Sequence, residues 1–329
     1  MVLKLSSLLS LLMLLAWGAQ GQAITYAGNP QAQALIQELV AEQGFDGAEL
    51  EALFAGAERK DKILEAIARP AEKTKPWHKY RKIFVTDTRT EQGLEFYRLY
   101  AASLQRAERE YGVSAEIIVA IIGVETRYGR NKGSWLVLDA LSTLAFDYPQ
   151  RSAFFRRELK EYLLMTREQN LSAAELLGSY AGAMGYGQFI PSSYRAYAVD
   201  FDGDGIVDII NNPVDAIGSV ANYFSRHGWR TGEPVAVPAR VGEGYRSEWM
   251  NDGLKPQHTV AELAENAIYP AQPGAEDARA TAIEFEARHG PEYWLGWHNF
   301  YVITRYNHSS MYAMSVYQLS QQIEAQRSL

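Results

Sequence analysis

The chain has 329 residues, of which 47% are hydrophobic, and its 12 Phe, 20 Tyr and 7 Trp are enough to build a substantial core over two or three sub-domains. Its 32 Lys and Arg against 39 Asp and Glu give a net charge of -7 without a basic arm, which disfavours binding to nucleic-acid phosphates and favours a neutral or mixed-charge substrate. The absence of cysteine excludes disulfides, thiol catalysis, Cys-ligated metals and a lipid-modified N-terminal Cys.

The first 23 residues have the pattern of an export signal. Lys4 precedes an apolar core from about Leu8 to Ala16, which is too short to span a bilayer comfortably, and small residues follow up to Ala23. We expect cleavage near Ala23 and a soluble exported protein. The alternative is an uncleaved signal anchor, because the hydropathy lies near the limit for a membrane span.

Helical periodicity begins after this segment. Asn29-Pro30 and Asp46 have the residue types that begin helices, and they predict the starts of the first two. A long helix is predicted from about Thr90 to Tyr111, ending at Gly112.

The following helix carries the first candidate for chemistry. It begins at Ser114, ends in the stretch GVETRYGR and is apolar almost all round, so it should be central and buried. One carboxylate, Glu125, lies near its end. It shares a helix face with Ile118, Ile121 and Ile122.

Two effects predict a raised pKa for Glu125: desolvation by this apolar face and the negative end of the helix dipole. A carboxyl that stays protonated near neutral pH is what a general acid requires. The alternative is a structural ion pair with Arg127 or Arg130 that only closes the helix.

A glycine-rich segment, GSYAGAMGYGQFIPSSY, occupies residues 178–194, after a Ser172-x-x-Glu175 capping box that predicts a short helix. Its glycines permit close backbone approach, and its tyrosines, Gln188 and Phe189 offer flat faces and polar groups, as in a sugar-binding wall. A phosphate loop is disfavoured because the segment lacks GxxxxGK[ST] and any basic residue within the glycine cluster. A simple glycine-rich helix junction is the other alternative.

The next segment has the spacing of a calcium loop. Positions one, three, five, six and nine are occupied by Asp200, Asp202, Asp204, Gly205 and Asp208. Ile206 would supply a backbone carbonyl, but position twelve is Asn211 where a bidentate Glu is expected. The alternative is an Asp/Gly turn without a metal.

Asp215 has two possible roles. It could serve as a late cation ligand, or it could belong to the start of a helix, because Asn212-Pro213 is typical of an N-cap followed by N1. We expect calcium here to be structural, because a catalytic metal needs an open site beside the chemistry.

The pattern changes to alternation and turns after Gly228, which predicts a small β-containing insertion. An aromatic-rich helix then returns. Its Tyr306, Asn307 and Tyr312 could face a sugar, although an aromatic stripe at helical spacing is more often core.

Four motifs follow one another in the sequence: GVETRYG, GAMGYGQFIPSSY, the Asp loop through PVDAIGSVANYF, and ITRYNHSSMYAM. Together they closely resemble the lytic murein transglycosylase B family, glycoside hydrolase family 103. The resemblance extends from about Pro76 to Leu319. The resemblance implies a mainly α (α+β) fold, with a lysozyme-like helical core and an embedded EF-hand-like calcium loop. The implied division is a signal peptide (1–23), a helical N-terminal domain (24–108), the catalytic core (109–231, calcium loop 200–215), a small β-containing domain (232–290) and a C-terminal segment returning to the core (291–329).

The resemblance also implies a reaction. The β-1,4 bond between N-acetylmuramic acid and N-acetylglucosamine is cleaved without hydrolysis, and a 1,6-anhydro-muramoyl end is formed. Glu125 is carried over as the general acid and later base, and the substrate's acetamido group assists. The implied cofactor is structural Ca²⁺, with no organic cofactor.

By motif match, the substrate-binding residues are Tyr80, Arg151, Ser179, Gln188, Phe189, Tyr223, Tyr306, Asn307 and Tyr312. The implied partners are peptidoglycan glycan strands, with cell-wall synthases or amidases as further candidates, and a monomer is expected. Relatives with a lipid anchor carry a Cys after the signal, so we expect a soluble periplasmic enzyme here.

Two other functions remain open at this stage. A hydrolase would need an activated water and a second carboxylate across the sugar, for which Asp139 and Asp147 are available by type. A non-catalytic, calcium-dependent wall-binding module would keep the aromatic wall and the Asp loop but would not depend on Glu125.

Overall fold

The computed structural model describes residues 23–69, 75–272 and 275–328, and the predicted mainly helical class is confirmed. The predicted export signal lies outside the described residues, apart from Ala23. Within the described ranges, no helix has both the length and the apolar character needed to cross a membrane.

Three short helices open the described chain, and local capping sets where the first two begin. The side chain of Asn29 accepts from the amides of Gln31 and Ala32, and Asp46 accepts from those of Ala48 and Glu49, so both predicted starts are confirmed. The helices are α1 (Pro30–Gln43), α2 (Gly47–Gly56) and α3 (Asp61–Ile67).

The predicted single helix from Thr90 to Tyr111 is wrong. The chain forms α4 (Trp77–Phe84), then α5 (Asp87–Leu99) and α6 (Ala101–Tyr111), with a break at Tyr100, whose φ and ψ are -115° and 25°. The break lets each half bury its own apolar residues, Tyr97 on one side and Leu104 on the other. Gly112 ends α6 in the left-handed conformation, as predicted.

The central helix is α7 (Ala115–Thr126). Eleven of its 12 residues are buried, and the exception is Glu125, which is partly exposed. It packs against α5 and against the last helix of the chain. The apolar sequence of α7 therefore places the Glu125 carboxylate at the edge of the core.

The middle of the chain contributes four more helices, of which the last packs against α7. It consists of α8 (Val137–Asp147), α9 (Ser152–Glu168), α10 (Pro191–Tyr197) and α11 (Pro213–Arg226), with the short strands β1 (Trp135–Leu136) and β2 (Leu177–Gly178) paired antiparallel. The helix predicted at Ser172 is wrong: the amide of Glu175 donates to the Ser172 carbonyl at 3.2 Å in a turn, and the chain continues directly into β2.

A five-stranded sheet follows α11. Its strands are β3 (Ala236–Val241), β4 (His258–Thr259), β5 (Ile268–Pro270), β6 (Arg279–Ala287) and β7 (Gly290–Gly296), in the spatial order β4-β6-β7-β3-β5. Every pairing is antiparallel. A short helix, α12 (Val260–Glu265), helps to enclose a separate small core that includes Leu263 and Leu295.

The chain then returns to the main core through α13 (His298–Tyr306) and α14 (Ser310–Arg327). Helix α14 packs along α7 and α4. The ring of Trp77 in α4 stacks on Phe285 of β6 with centroids 4.7 Å apart. The sheet is thus fixed against the helices that carry the candidate site.

Candidate active site

Glu125 meets a tyrosine from the far end of the chain. The Tyr312 hydroxyl donates to Glu125 Oε1 at 2.5 Å, and the Tyr312 side chain is only 2% exposed. Burial raises the pKa of Tyr312 well above its usual value, and the charge of Glu125 raises it further. Tyr312 therefore remains a protonated donor that fixes the Glu125 carboxyl.

The two arginines that follow Glu125 have other partners. Arg127 Nε donates to Gln92 Oε1 at 2.8 Å, and Arg130 forms an ion pair with Glu95 at 3.5 Å. Both contacts are made with α5. This arrangement favours a chemical role for Glu125 over the alternative of a simple helix-closing ion pair.

The turn after Glu125 joins α7 to the glycine-rich segment. The hydroxyl of Thr126 lies 3.1 Å from the Ile122 carbonyl and 2.9 Å from the Tyr186 carbonyl, and it accepts from the amide of Gly129 at 3.0 Å. Thr126 is fully buried. It was not singled out in the sequence, because a single threonine at a helix end carries no signal of its distant partner.

Within the glycine-rich segment, Gln188 adopts a left-handed backbone with φ of 51°. Its Nε2 donates to the carbonyls of Lys132 at 3.2 Å and Gly185 at 3.0 Å. Gly187 is required by close approach, because a Cβ there would lie 2.8 Å from the Tyr306 hydroxyl oxygen. The side-chain oxygen of Gln188 is thereby oriented by its own amide nitrogen.

Three aromatic rings from distant parts of the chain form one cluster beside Glu125. The rings of Tyr223 and Tyr306 lie 4.8 Å apart, and Phe189 lies 5.8 and 5.9 Å from them. Tyr306 donates to the Gly187 carbonyl at 2.5 Å, and burial followed by the charge of Glu125 raises its pKa. Phe189 and Tyr223 are core residues, whereas Tyr306 is partly exposed.

The remaining predicted residues are placed less uniformly. Ser179 is half-buried, and its hydroxyl accepts from the amides of Ala181 and Ala183 at 3.2 and 3.1 Å. Tyr80 is 1% exposed and acts electrostatically on Tyr312, which places it next to the Glu125 cluster.

Asn307 and Arg151 complete the predicted set. Asn307 is half-buried in the connection between α13 and α14, immediately after Tyr306. Arg151 is exposed, and its guanidinium lies over the rings of Phe154 and Phe155 at 4.2 and 5.2 Å. The contacts of Arg151 therefore join it to α9 and not to the Glu125 cluster.

Comparison with known proteins decides the family. The family model described as "Transglycosylase SLT domain" matches residues 27–321. The chain belongs to this transglycosylase family.

Three relatives illustrate the likeness. "Membrane-bound lytic murein transglycosylase B" of Escherichia coli K12 is 45% identical over 311 residues, 92% of this chain and 85% of that protein. Soluble lytic transglycosylase SltB1 from Pseudomonas aeruginosa is 52% identical, with a TM-score of 0.86 over 91% of this chain and 100% of that one. The E. coli lytic transglycosylase Slt35, solved in complex with calcium, is 44% identical with a TM-score of 0.85 over 92% and 96%. The predicted lysozyme-like, mainly α fold is confirmed.

In this transglycosylase, the two candidates for the second carboxylate of a hydrolase have other contacts. Asp139 is buried, accepts from the amide of Glu58 at 2.8 Å and lies 3.3 Å from Lys60 Nζ. Asp147 accepts from the hydroxyl of Tyr26 at 2.5 Å. Both side chains fix the N-terminal helices to α8.

The Asp loop of the transglycosylase groups three carboxylates. Oxygens of Asp200, Asp202 and Asp204 lie within 4.8 Å of one another. The carboxylate of Asp200 accepts from the amides of Gly203 at 2.7 Å and Gly205 at 2.8 Å, which lowers its pKa, the Gly205 bond most of all. Clustered, ionised oxygen donors fit a hard divalent cation such as Ca²⁺.

Two further acidic residues shape this loop. The Asp208 carboxylate accepts from the amides of Ile210 and Asn211 at 3.0 and 2.9 Å. Asp215 is fully buried behind the loop and lies outside the group of three carboxylates, and its oxygens accept from the amides of Phe201 at 2.7 Å and Asp208 at 2.8 Å. The Asn212 cap of α11 is confirmed by its bond from Val214 N.

Hydrogen bonds connect the end of the Asp loop to the glycine-rich segment (residues 178–194) and to Lys132. The amide of Tyr186 donates to the Ile209 carbonyl at 3.1 Å, and Lys132 Nζ donates to the Ile210 carbonyl at 2.7 Å. The carbonyl of Lys132 in turn accepts from Gln188. A displacement of the loop would therefore be transmitted to Gln188 through two hydrogen-bonded residues.

Proposed function

We propose that this lytic murein transglycosylase of the SLT family cleaves the β-1,4 bond between N-acetylmuramic acid and N-acetylglucosamine of peptidoglycan without water, with Glu125 as acid and then base. The supporting observation is the 2.5 Å bond from Tyr312 to Glu125, at the end of a helix that is otherwise buried. The other two candidate carboxylates, Asp139 and Asp147, hold the N-terminal helices instead. A one-carboxylate mechanism therefore fits the arrangement.

In the first step, Glu125 transfers its proton to the glycosidic oxygen while the bond from that oxygen to C1 of the muramic acid breaks. Positive charge develops at C1, and the acetamido oxygen of the same sugar stabilises it. In the second step, the C6 hydroxyl attacks C1 and gives its proton to the Glu125 carboxylate. This restores the acid and leaves a 1,6-anhydro end, so that no water is consumed.

The surrounding side chains would hold the sugar during these steps. We assign Gln188 and Ser179 to hydrogen bonds with N-acetyl or hydroxyl groups, because both are half-buried polar side chains of the wall. The exposed edge of Tyr306 and the adjoining Asn307 would contact the ring beside Glu125. Tyr80, Phe189 and Tyr223 would support that surface from behind, and Arg151 would contact more distant parts of the substrate.

We further propose that Asp200, Asp202, Asp204, Asp208 and the Ile206 carbonyl hold a structural calcium ion. The three grouped carboxylates support this assignment, as does the calcium complex of Slt35. Calcium would neutralise the repulsion between these carboxylates. Asp215 would act from behind by fixing the loop backbone.

Setting and partners follow from the same proposal. Glycan strands of peptidoglycan are the expected macromolecular substrate, with cell-wall synthases or amidases as further candidate partners and a monomer as the working form. We place the enzyme in the periplasm as a soluble protein after signal cleavage. The division into a helical N-terminal domain, catalytic core, β-containing domain and returning segment is likewise a proposal.

The test is mass spectrometry of the muropeptides that the purified protein releases from peptidoglycan. We expect anhydro-muramoyl products from the native protein and none from Glu125→Gln, which keeps the shape but removes the transferable proton. Glu116→Gln, at the opposite end of α7, is the matched control and should leave the products unchanged. Reducing ends would identify a hydrolase, and equal release by native protein and Glu125→Gln would refute the role of Glu125.

A further inference from the structure

An arginine from a neighbouring helix holds the last turn of α7. Arg89, in α5, donates from Nη1 to the Gly123 carbonyl at 2.5 Å and from Nη2 to the Ile83 carbonyl at 3.2 Å. Gly123 lies two residues before Glu125. Arg89 is half-buried, and this burial lowers its pKa, while the two carbonyl oxygens accept from its guanidinium.

A tyrosine from the turn after α7 also bonds to Arg89. The Tyr128 hydroxyl donates to the backbone carbonyl of Arg89 at 2.9 Å. Its ring occupies a space that only glycines leave open, since a Cβ at Gly93 or Gly123 would lie 2.5 or 2.6 Å from the Tyr128 hydroxyl oxygen. Arg89 thus binds α7 through its side chain and accepts from the turn after α7 through its backbone.

The turn held in this way is strained. Arg127, Tyr128 and Gly129 follow each other with φ values of 52°, 61° and 83°. A non-glycine residue in the left-handed region costs about 1–2 kcal/mol, so two in succession persist only where surrounding contacts compensate. Glu125 lies two residues before Arg127, so this turn fixes the backbone at the end of the helix that carries Glu125.

We propose that Arg89 is a positioning residue for Glu125. It acts through the Gly123 carbonyl and the Tyr128 turn, and it has no contact with the reacting sugar in this proposal. The inference rests on the proposed role of Glu125. Its chemical basis is that proton transfer requires close placement of the donor, and a displacement of about 1 Å can lower a rate by about 100-fold.

The experiment compares Arg89→Gln, Arg89→Lys and Tyr128→Phe, with Arg98→Gln as the matched control. Arg98 is an exposed arginine of the same helix, α5, and lies outside the turn after α7, so its substitution tests the loss of a positive charge on α5 alone. For each variant, kcat and KM are measured on soluble, uncrosslinked peptidoglycan strands. Thermal unfolding and the Kd for an N-acetylglucosaminyl-anhydromuramic acid fragment are measured beside them.

We expect Arg89→Gln to lower kcat by about tenfold or more, with KM and the fragment Kd within about twofold of native values. Arg89→Lys should be intermediate, because an ammonium cannot reproduce the two-carbonyl fork of a guanidinium. Tyr128→Phe should lower kcat by less, since the ring remains. The kcat of Arg98→Gln should stay within about twofold of the native value.

A folded Arg89→Gln protein with kcat within about twofold of native would overturn the proposal, and so would an equal loss of kcat in Arg98→Gln. If Arg89→Gln does not fold, Arg89→Lys and Tyr128→Phe decide by the same split between kcat and KM. Retained activity in Glu125→Gln would instead refute the proposed function. Loss in Glu125→Gln with none in the Arg89 variants would refute this inference alone.

Discussion

Glu125 and the Asp loop use the same functional group in opposite surroundings. The Glu125 carboxylate lies beside the buried Tyr312 and accepts a hydrogen bond from its hydroxyl. In the loop, three carboxylates lie together, mostly exposed, and their oxygens accept from backbone amides. The first environment suits a group that exchanges a proton, and the second suits groups that stay ionised around a cation.

In the proposed function, one fold assigns two roles to carboxylates. The role depends on which donors face the oxygen and on how much apolar surface surrounds it. The two regions are also connected: the Ile209 carbonyl accepts from Tyr186 of the glycine-rich segment, and the Ile210 carbonyl accepts from Lys132, whose own carbonyl accepts from Gln188. We therefore expect substitutions around Glu125 to change the reaction rate. Substitutions in the Asp loop should first change the stability of the folded protein.

The largest expected effect is that of Tyr312→Phe. Loss of a hydrogen bond to a charged group costs about 1.5–3 kcal/mol, so turnover should fall about 10- to 100-fold. Initial rates of muropeptide release measure this. Tyr162→Phe is the matched control, since that buried hydroxyl donates to the Ala173 carbonyl at 2.7 Å, and its rate should remain native. Equal rates in Tyr312→Phe and native protein would show that the Tyr312 hydrogen bond to Glu125 does not contribute to turnover.

The second effect concerns calcium. Asp204→Asn keeps the acceptor for the Ile206 amide but removes one charge from the loop. An ion present at about 100 times its Kd stabilises a protein by about 2.7 kcal/mol, so chelation should lower the native Tm by about 5 °C. Asp204→Asn should need more calcium to recover that Tm, whereas Asp277→Asn, on the exposed surface, should respond as native does. A native Tm that does not respond to calcium would rule out the site.

The smallest effect comes from an ion pair remote from both regions. Hydrogen bonds from Lys160 and then Arg156 lower the pKa of Glu38, so its contribution to stability is present above its ordinary pKa and is lost as the pH falls. Glu38→Gln should lower the free energy of unfolding at pH 7 by about 1 kcal/mol or less. Denaturant unfolding should show a smaller difference in the free energy of unfolding between native protein and Glu38→Gln at pH 3 than at pH 7. The activity of Glu38→Gln at pH 7 should be unchanged. A difference that persists at pH 3 would exclude the ion pair as its cause.

Local signals predicted much of the fold. The starts at Asn29, Asp46 and Asn212 and the end at Gly112 follow from side-chain caps and glycine geometry, which involve residues only a few positions apart. The buried position of α7 follows from its composition alone. These features need no knowledge of the distant parts of the chain.

Features that depend on distant partners escaped prediction. The hydrophobic periodicity continues across Tyr100 and therefore does not predict the break there. The break depends on the packing of the helices on its two sides. The bond from Arg89 to Gly123 joins residues 34 positions apart, and no local pattern marks it. Tyr312 was expected in the cleft by resemblance, but its bond to Glu125 spans 187 positions and needed the structure.

The buried Asp215 has a consequence for the proposed calcium site. Its two oxygens bond the backbone on either side of the loop, at Phe201 and Asp208, so the protein itself closes the loop. A calcium ion bound at the proposed site would then meet a loop that is already shaped, so little of the binding energy would be consumed in ordering the chain. Changes in calcium concentration should alter the rigidity of the loop while its backbone arrangement persists.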